Sequence, residues 1–178
     1  MSNTLLVFYS RSGTTRALAC RLARELDADL EEIRERHDRK GWRGFLRSLF
    51  ESLSGRDPAI VPCRFKPADY ALVVVGTPVW AERPAGPVRR YLLDHEAELN
   101  HVAFFCTYSH NGAAALAEMA DIVDCEPIAT LMLSGPEVEA GDSGQSARFV
   151  SEVFGSVRWG IENRRFERIM PVAPARCA

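Results

Sequence analysis

Three stretches of this sequence place side chains capable of chemistry at short, regular spacing. The first is Ser10-Arg11-Ser12-Gly13-Thr14-Thr15, four hydroxyls around one glycine. It follows the apolar run Leu5 to Tyr9 and precedes a helical pattern, so its hydroxyls and backbone N–H groups converge on the positive end of a helix dipole. That arrangement is a competent phosphate cradle. It lacks the GxxxxGK[ST] spacing of a Walker A loop. It is not a GxGxxG dinucleotide turn either, because only Gly13 is glycine. Ser and Thr are also favoured at helix starts simply as caps, and spacing alone does not separate cradle from cap.

The second stretch is Gly76-Thr77-Pro78-Val79-Trp80-Ala81, continued by Glu82 to Val88. Here Gly76-Thr77-Pro78 is expected to turn the chain, Val79-Trp80 to present an aromatic ring, and the later prolines to stiffen the exit. The third is Thr107-Tyr108-Ser109-His110, followed by Asn111 and Gly112. His110 is a loop histidine for which the solvated reading is commoner than a charge-supplying one. Cys106 closes an apolar run before this loop, where a phosphatase-type nucleophile would sit. Such a nucleophile needs an arginine six residues on, and position 112 is glycine, so Cys106 reads as a buried strand residue. No side chain qualifies as a general acid, base or nucleophile, and no catalytic residue is assigned.

The elements that must position these loops follow from periodicity. Leu5 to Tyr9, Ala71 to Gly76, Val102 to Cys106 and Ile128 to Leu133 are apolar on both faces, as central parallel strands are. Ala28 to Ile33 is shorter and more acidic and reads as an edge strand. Leu18, Leu22 and Leu26 recur at helical spacing from about Thr14 to Leu26. Val88, Tyr91, Leu92 and Leu99 mark a second helix, Ala113 to Val123 a third, and Phe149 to Ile161 a last one. Alternating strands and helices predict an α/β fold with a parallel sheet, whose ligands bind beyond the carboxyl ends of the strands.

Composition narrows the function classes. The 178 residues suit one domain, 1–178, with a core at about 4–168 and a tail at 169–178. A formal net charge of −2 supplies no field for nucleic acid or an anionic membrane. The five cysteines, Cys20, Cys63, Cys106, Cys125 and Cys177, contain no CxxC pair, so reduced thiols are expected rather than a disulfide frame or a metal site. Thr4 to Tyr9 is too short for a secretory leader, and no run approaches the ~20 residues of a membrane span. A cytoplasmic location is the expectation. Between Ile33 and Tyr70 lies an unusually long connection, with Trp42, Phe45, Leu46, Leu49, Phe50 and Leu53 at helical spacing among Arg34, Arg36, Arg39, Lys40, Arg43 and Arg47. Such a stripe is mostly core, with a lid or a homodimer contact as the sharper alternative.

The stretch "LLVFYSRSGTTRALACRLA" resembles the start of flavodoxin-like proteins, with their [ST]-x-[ST]-G-x-T phosphate loop. "GTPVWAERPAGPV" and "FFCTYSHNGAA" are similar to the two flavin loops of that family, in particular of its short-chain, uncharacterised prokaryotic branch. The resemblance extends from residue 4 to about residue 165 and includes "RKGWRGFLRSLFESLSGR". It implies a flavodoxin-like doubly wound five-stranded parallel sheet, order 2-1-3-4-5, with helices on both faces. It implies FMN as cofactor, with Ser10, Ser12, Gly13, Thr14 and Thr15 at the phosphate and Arg11 in the same loop facing solvent. Thr77, Pro78, Val79, Trp80 and Ala81 would form the first flavin loop, and Thr107, Tyr108, Ser109, His110 and Gly112 the second. Trp80 and Tyr108 would stack on the flavin ring.

Two positions depart from the family pattern. Ala81 stands where many electron carriers have glycine, and Tyr108, Ser109 and His110 stand where smaller residues are commoner. The implied function is an FMN-dependent oxidoreductase linked to a small donor or acceptor, NAD(P)H or quinone. An electron carrier between redox proteins is the alternative, and a flavin-free binding module on the same fold is a third reading.

Overall fold

In a computed structural model of the chain, residues 2–36, 58–99, 101–141 and 144–156 are described below. The apolar stripe from Trp42 to Leu53, the end of the expected last helix and the C-terminal tail lie outside these described residues. The order of elements is β1 (Thr4–Phe8), α1 (Thr14–Glu25), β2 (Asp29–Glu32), β3 (Leu72–Trp80), β4 (Arg83–Pro84), α2 (Gly86–His95), β5 (Val102–Tyr108), α3 (Ala113–Val123), β6 (Thr130–Ser134) and α4 (Gly135–Ala140). A further helical stretch covers 144–156. Among the described residues, no helix is long and apolar enough to cross a membrane.

The main sheet runs β2-β1-β3-β5-β6, with every neighbouring pair parallel and the two-residue β4 folded back antiparallel on β3. Setting that hairpin strand aside, this is the expected 2-1-3-4-5 order. Side chains alternate between two cores, because successive strand residues point to opposite faces. Leu6, Phe8, Leu72, Val74, Ala103, Phe105, Leu131 and Leu133 pack with Leu18, Ala19 and Leu22 of α1 and with Phe149 and Val153. Leu5, Val7, Val73, Val75, Val102, Phe104 and Cys106 pack on the opposite face with Val88, Tyr91 and Leu92 of α2 and Leu116 and Met119 of α3. The unbroken apolar runs of β1, β3 and β5 are therefore the direct signature of a sheet covered on both sides.

Two expectations are corrected. By composition alone the apolar run Ile128 to Leu133 reads as a central strand, but β6 is the far edge, where the 2-1-3-4-5 order puts it. It buries Leu131 and Leu133 and leaves Met132 36% exposed, so its apolar composition outruns its burial. Gly76-Thr77-Pro78 does not turn the chain: β3 continues straight through it to Trp80. Pairing with β1 stops at Gly76, while pairing with β5 persists to Pro78. One side of the strand is then without a ladder at Pro78, the situation in which a strand accepts proline.

Gly76 is required by close approach. A Cβ there would lie 2.0 Å from the Phe105 ring, and Phe105 is fully buried. Gly76→Ala should therefore lower stability by about 1–3 kcal/mol through overpacking, read as a drop in the denaturant midpoint at unchanged slope. An unaltered midpoint would mean that the ring yields freely.

Candidate active site

After β1 the chain passes through α1 to β2 on one side of the sheet. After β3 it passes through α2 to β5 on the other. The connections part at β1 and β3, and the crevice outside the carboxyl ends of two such strands is the position where open α/β sheets bind ligands. The loops after β1, β3 and β5 all emerge there, because those three strands are adjacent and parallel.

The loop after β1 is shaped by Gly13, whose φ of 101° and cap position at α1 suit glycine alone. The Gly13 N–H donates to Ser10 Oγ at 3.2 Å, closing the loop on itself, and Ser10 is buried. Ser12 Oγ and Thr14 Oγ1 stand 3.5 Å apart. Ser12 is exposed and Thr14 half-buried. The first turn of α1 carries no acidic residue and Gly13 offers no side-chain cap, so the positive helix end is left for an anion. Thr15 behaves differently. Its hydroxyl is buried and bonds Thr107 Oγ1 at 2.8 Å, tying the first loop to the end of β5. Arg11 is exposed, as expected.

The loop after β3 is a tight hairpin. Trp80 pairs with Arg83, and the two residues between them, Ala81 and Glu82, have φ of 51° and 61°. Both are left-handed, the geometry a two-residue hairpin turn needs and for which Asn-Gly is normally chosen. Each non-glycine residue held this way costs roughly 1–2 kcal/mol. Ala81 therefore already occupies the positive-φ region that its type disfavours. Thr77, expected at the cofactor, is fully buried. Its hydroxyl accepts the Ala85 N–H at 2.9 Å and donates to the Pro78 carbonyl at 2.9 Å, locking the hairpin base. Val79 and Trp80 remain half-buried at the crevice.

In the third loop Thr107 is buried, Tyr108 is half-buried, and Ser109 and His110 are exposed. Gly112 packs so closely on Cys106 that a Cβ would lie 2.4 Å from its sulfur. Asn111 Oδ1 accepts the Ala113 N–H at 2.9 Å at the start of α3. Burial pushes the Cys106 thiol up to about 12, so it stays protonated and is no nucleophile.

Two residues of this region escaped the sequence reading. Tyr9, directly before Ser10, meets Trp80 edge to face at 6.0 Å between ring centres and 89° between planes. Its hydroxyl donates to Glu35 at 2.7 Å, and burial first, then that carboxylate, raises its pKa. The end of a buried strand at the switch point was the available signal. Glu118 of α3 is the other. It accepts from Arg83 and Arg89, and those guanidiniums, Arg83's hydrogen bond foremost, hold its carboxyl below the usual glutamate range. Nothing local in α3 marks it.

A cavity of about 500 Å3 lies apart from these loops, along the β2 edge, lined in part by Phe8, Arg16, Cys20, Glu32, Arg34 and Arg64. Arg16 is already paired with Glu32 there. The crevice defined by the loops is the better candidate, because the hydroxyls, the helix end and the aromatics meet there.

Solved structures share this architecture. A flavoprotein from Lactobacillus acidophilus NCFM, crystallised in complex with FMN, matches with a TM-score of 0.65 at 23% identity, over 79% of this chain and 98% of that one. The apo-form of the flavoprotein from the same organism matches with a TM-score of 0.61 at 25% identity, over 78% and 96%. A flavodoxin from the domain Archaea matches with a TM-score of 0.51 at 16% identity, over 87% and 99%. No protein-family model matches the chain, and no curated protein matches it significantly. The chain has the flavodoxin-like fold.

The Thr15–Thr107 bond can be tested on the protein alone. Either Thr15→Val or Thr107→Val should destabilise by about 1–3 kcal/mol, because each leaves a buried hydroxyl without its partner. The double variant should cost less than the sum of the two. Strict additivity in denaturant titrations would mean that the hydroxyls do not depend on one another.

Proposed function

We propose that this chain binds FMN in the crevice between β1 and β3 and works as a flavin-dependent oxidoreductase with a small-molecule donor or acceptor, NAD(P)H or quinone. The carrying observation is the loop after β1. Exposed Ser12, half-buried Thr14 and the acid-free start of α1 meet on one side of the crevice. The half-buried Trp80 and Tyr108 stand on adjoining loops.

The residues present fit the group. Ser12, Thr14 and the N–H groups of the α1 start would take the phosphate. Trp80, in edge-to-face contact with Tyr9, would stack on the isoalloxazine, and Tyr108 would border the ring from the β5 loop. When bound, FMN supplies electron or hydride transfer, and the chain supplies position and electrostatics. Thr15 and Thr77 serve the same site from beneath by fixing the loops. A structural relative crystallised with FMN supports the choice of cofactor.

Ser12→Ala combined with Thr14→Val should weaken FMN binding more than tenfold, about 1.4 kcal/mol or above, since two hydrogen bonds to an anion are removed. Calorimetry with an unchanged Kd would move the phosphate elsewhere. Anaerobic stopped-flow mixing of the FMN-loaded chain with NADH and with NADPH tests the enzyme reading. Fast bleaching of the flavin band by either supports a reductase. Inertness towards both, relieved only by a reductase protein, would make the chain an electron carrier.

A further inference from the structure

The carboxylate of Glu118 sits at the meeting point of three elements. Arg83 of β4 grips it with two nitrogens, Nε to Oε2 at 2.9 Å and Nη2 to Oε1 at 2.7 Å, a bidentate pair. Arg89 of α2 bonds Oε1 as well. All three side chains are mostly buried, Arg89 to the greatest extent at 14% exposure and Glu118 at 23%. Partial burial matters, because such a pair is screened far less than a surface ion pair.

The hairpin held by this carboxylate has a turn that does not favour itself. Ala81 and Glu82 are both left-handed without being glycine or asparagine. A two-residue turn in this state persists only if the surrounding structure fixes it. Thr77 fixes the base of the hairpin through the Ala85 N–H. Near the tip, Arg83 is the direct cross-strand partner of Trp80, and Arg83 is held by Glu118. Without the carboxylate, Arg83 would lose its bidentate hold on α3, and Arg89 would lose its bond to the same oxygen.

We propose that Glu118 is a positioning residue for Trp80: by holding Arg83 and Arg89 together, it sets where the indole stands at the crevice. This rests on the FMN reading in so far as Trp80 faces the flavin; the clamp itself does not. Glu118 touches no cofactor and acts only through Arg83 and the hairpin.

Two measurements separate these layers. The chain has three tryptophans, Trp42, Trp80 and Trp159. In the cofactor-free chain carrying Trp42→Phe and Trp159→Phe, Trp80 is the remaining one. Its emission should shift to the red on Glu118→Ala, and less so on Glu118→Gln, which keeps an acceptor but no charge. In the chain saturated with FMN, Trp80→Ala should release flavin emission from quenching. Glu118→Ala should release part of it, although Trp80 is intact. A merely structural role for Glu118 would lower the thermal midpoint without changing either emission. Unaltered Trp80 emission in both Glu118 variants overturns the clamp. If Glu118→Ala fails to fold, Glu118→Gln alone decides. If Trp80→Ala leaves flavin emission unchanged, the placement of Trp80 against the flavin fails, and the cofactor-free emission still decides the clamp.

Discussion

The register between β1 and β3 is the constraint on which the rest of the molecule depends. Thr4 to Phe8 pair with Leu72 to Gly76, and Leu5, Leu6, Val7, Val73, Val74 and Val75 are all at most 2% exposed. A one-residue slip would exchange the residues facing α1 for those facing α2 and α3 along the strand. The two strands then end at different heights. β1 stops at Phe8, with the Tyr9 N–H still donating to the Gly76 carbonyl at 3.1 Å, whereas β3 continues to Trp80. The first loop therefore leaves β1 level with Gly76, and the hairpin begins farther along β3, at Trp80.

The polar ties follow from that difference in height. Loops that leave adjacent strands at unequal heights share few ladder hydrogen bonds, so side chains connect them. Thr15 reaches Thr107, Thr77 closes the hairpin base, and Glu118 holds Arg83 and Arg89. Each tie is long-range in sequence or crosses a turn, and each anchors a loop to a rigid element. A site assembled this way is preorganised, so little ordering remains when a ligand binds.

How far the sequence shows this molecule depends on how local each feature is. The strands were legible because burial on both faces leaves unbroken apolar runs. The first loop was legible because hydroxyls, one glycine and a helix start coincide within six residues. The hairpin was not. Gly76 and Pro78 look like a turn locally, but pairing to β5 keeps them extended, and the true turn uses Ala81 and Glu82, whose types argue against it. Thr77 and Thr15 look like ligand hydroxyls and are also locks, a distinction that requires knowing what stands opposite. Tyr9 and Glu118 depend on partners 26 and 35 residues away, Glu35 and Arg83, and no local pattern encodes such pairs. Ile128 to Leu133 misled for the opposite reason, since an edge strand can be as apolar as a central one.

The central claim is that this crevice takes a flavin through its phosphate. Calorimetric titration of the full chain with FMN and, separately, with riboflavin tests that most directly, because the two ligands share the ring and differ in the phosphate. The account predicts one FMN per chain and much weaker binding of riboflavin, with the difference shrinking as the phosphate is screened by salt. Equal affinity for both ligands, or no uptake of either, would contradict it.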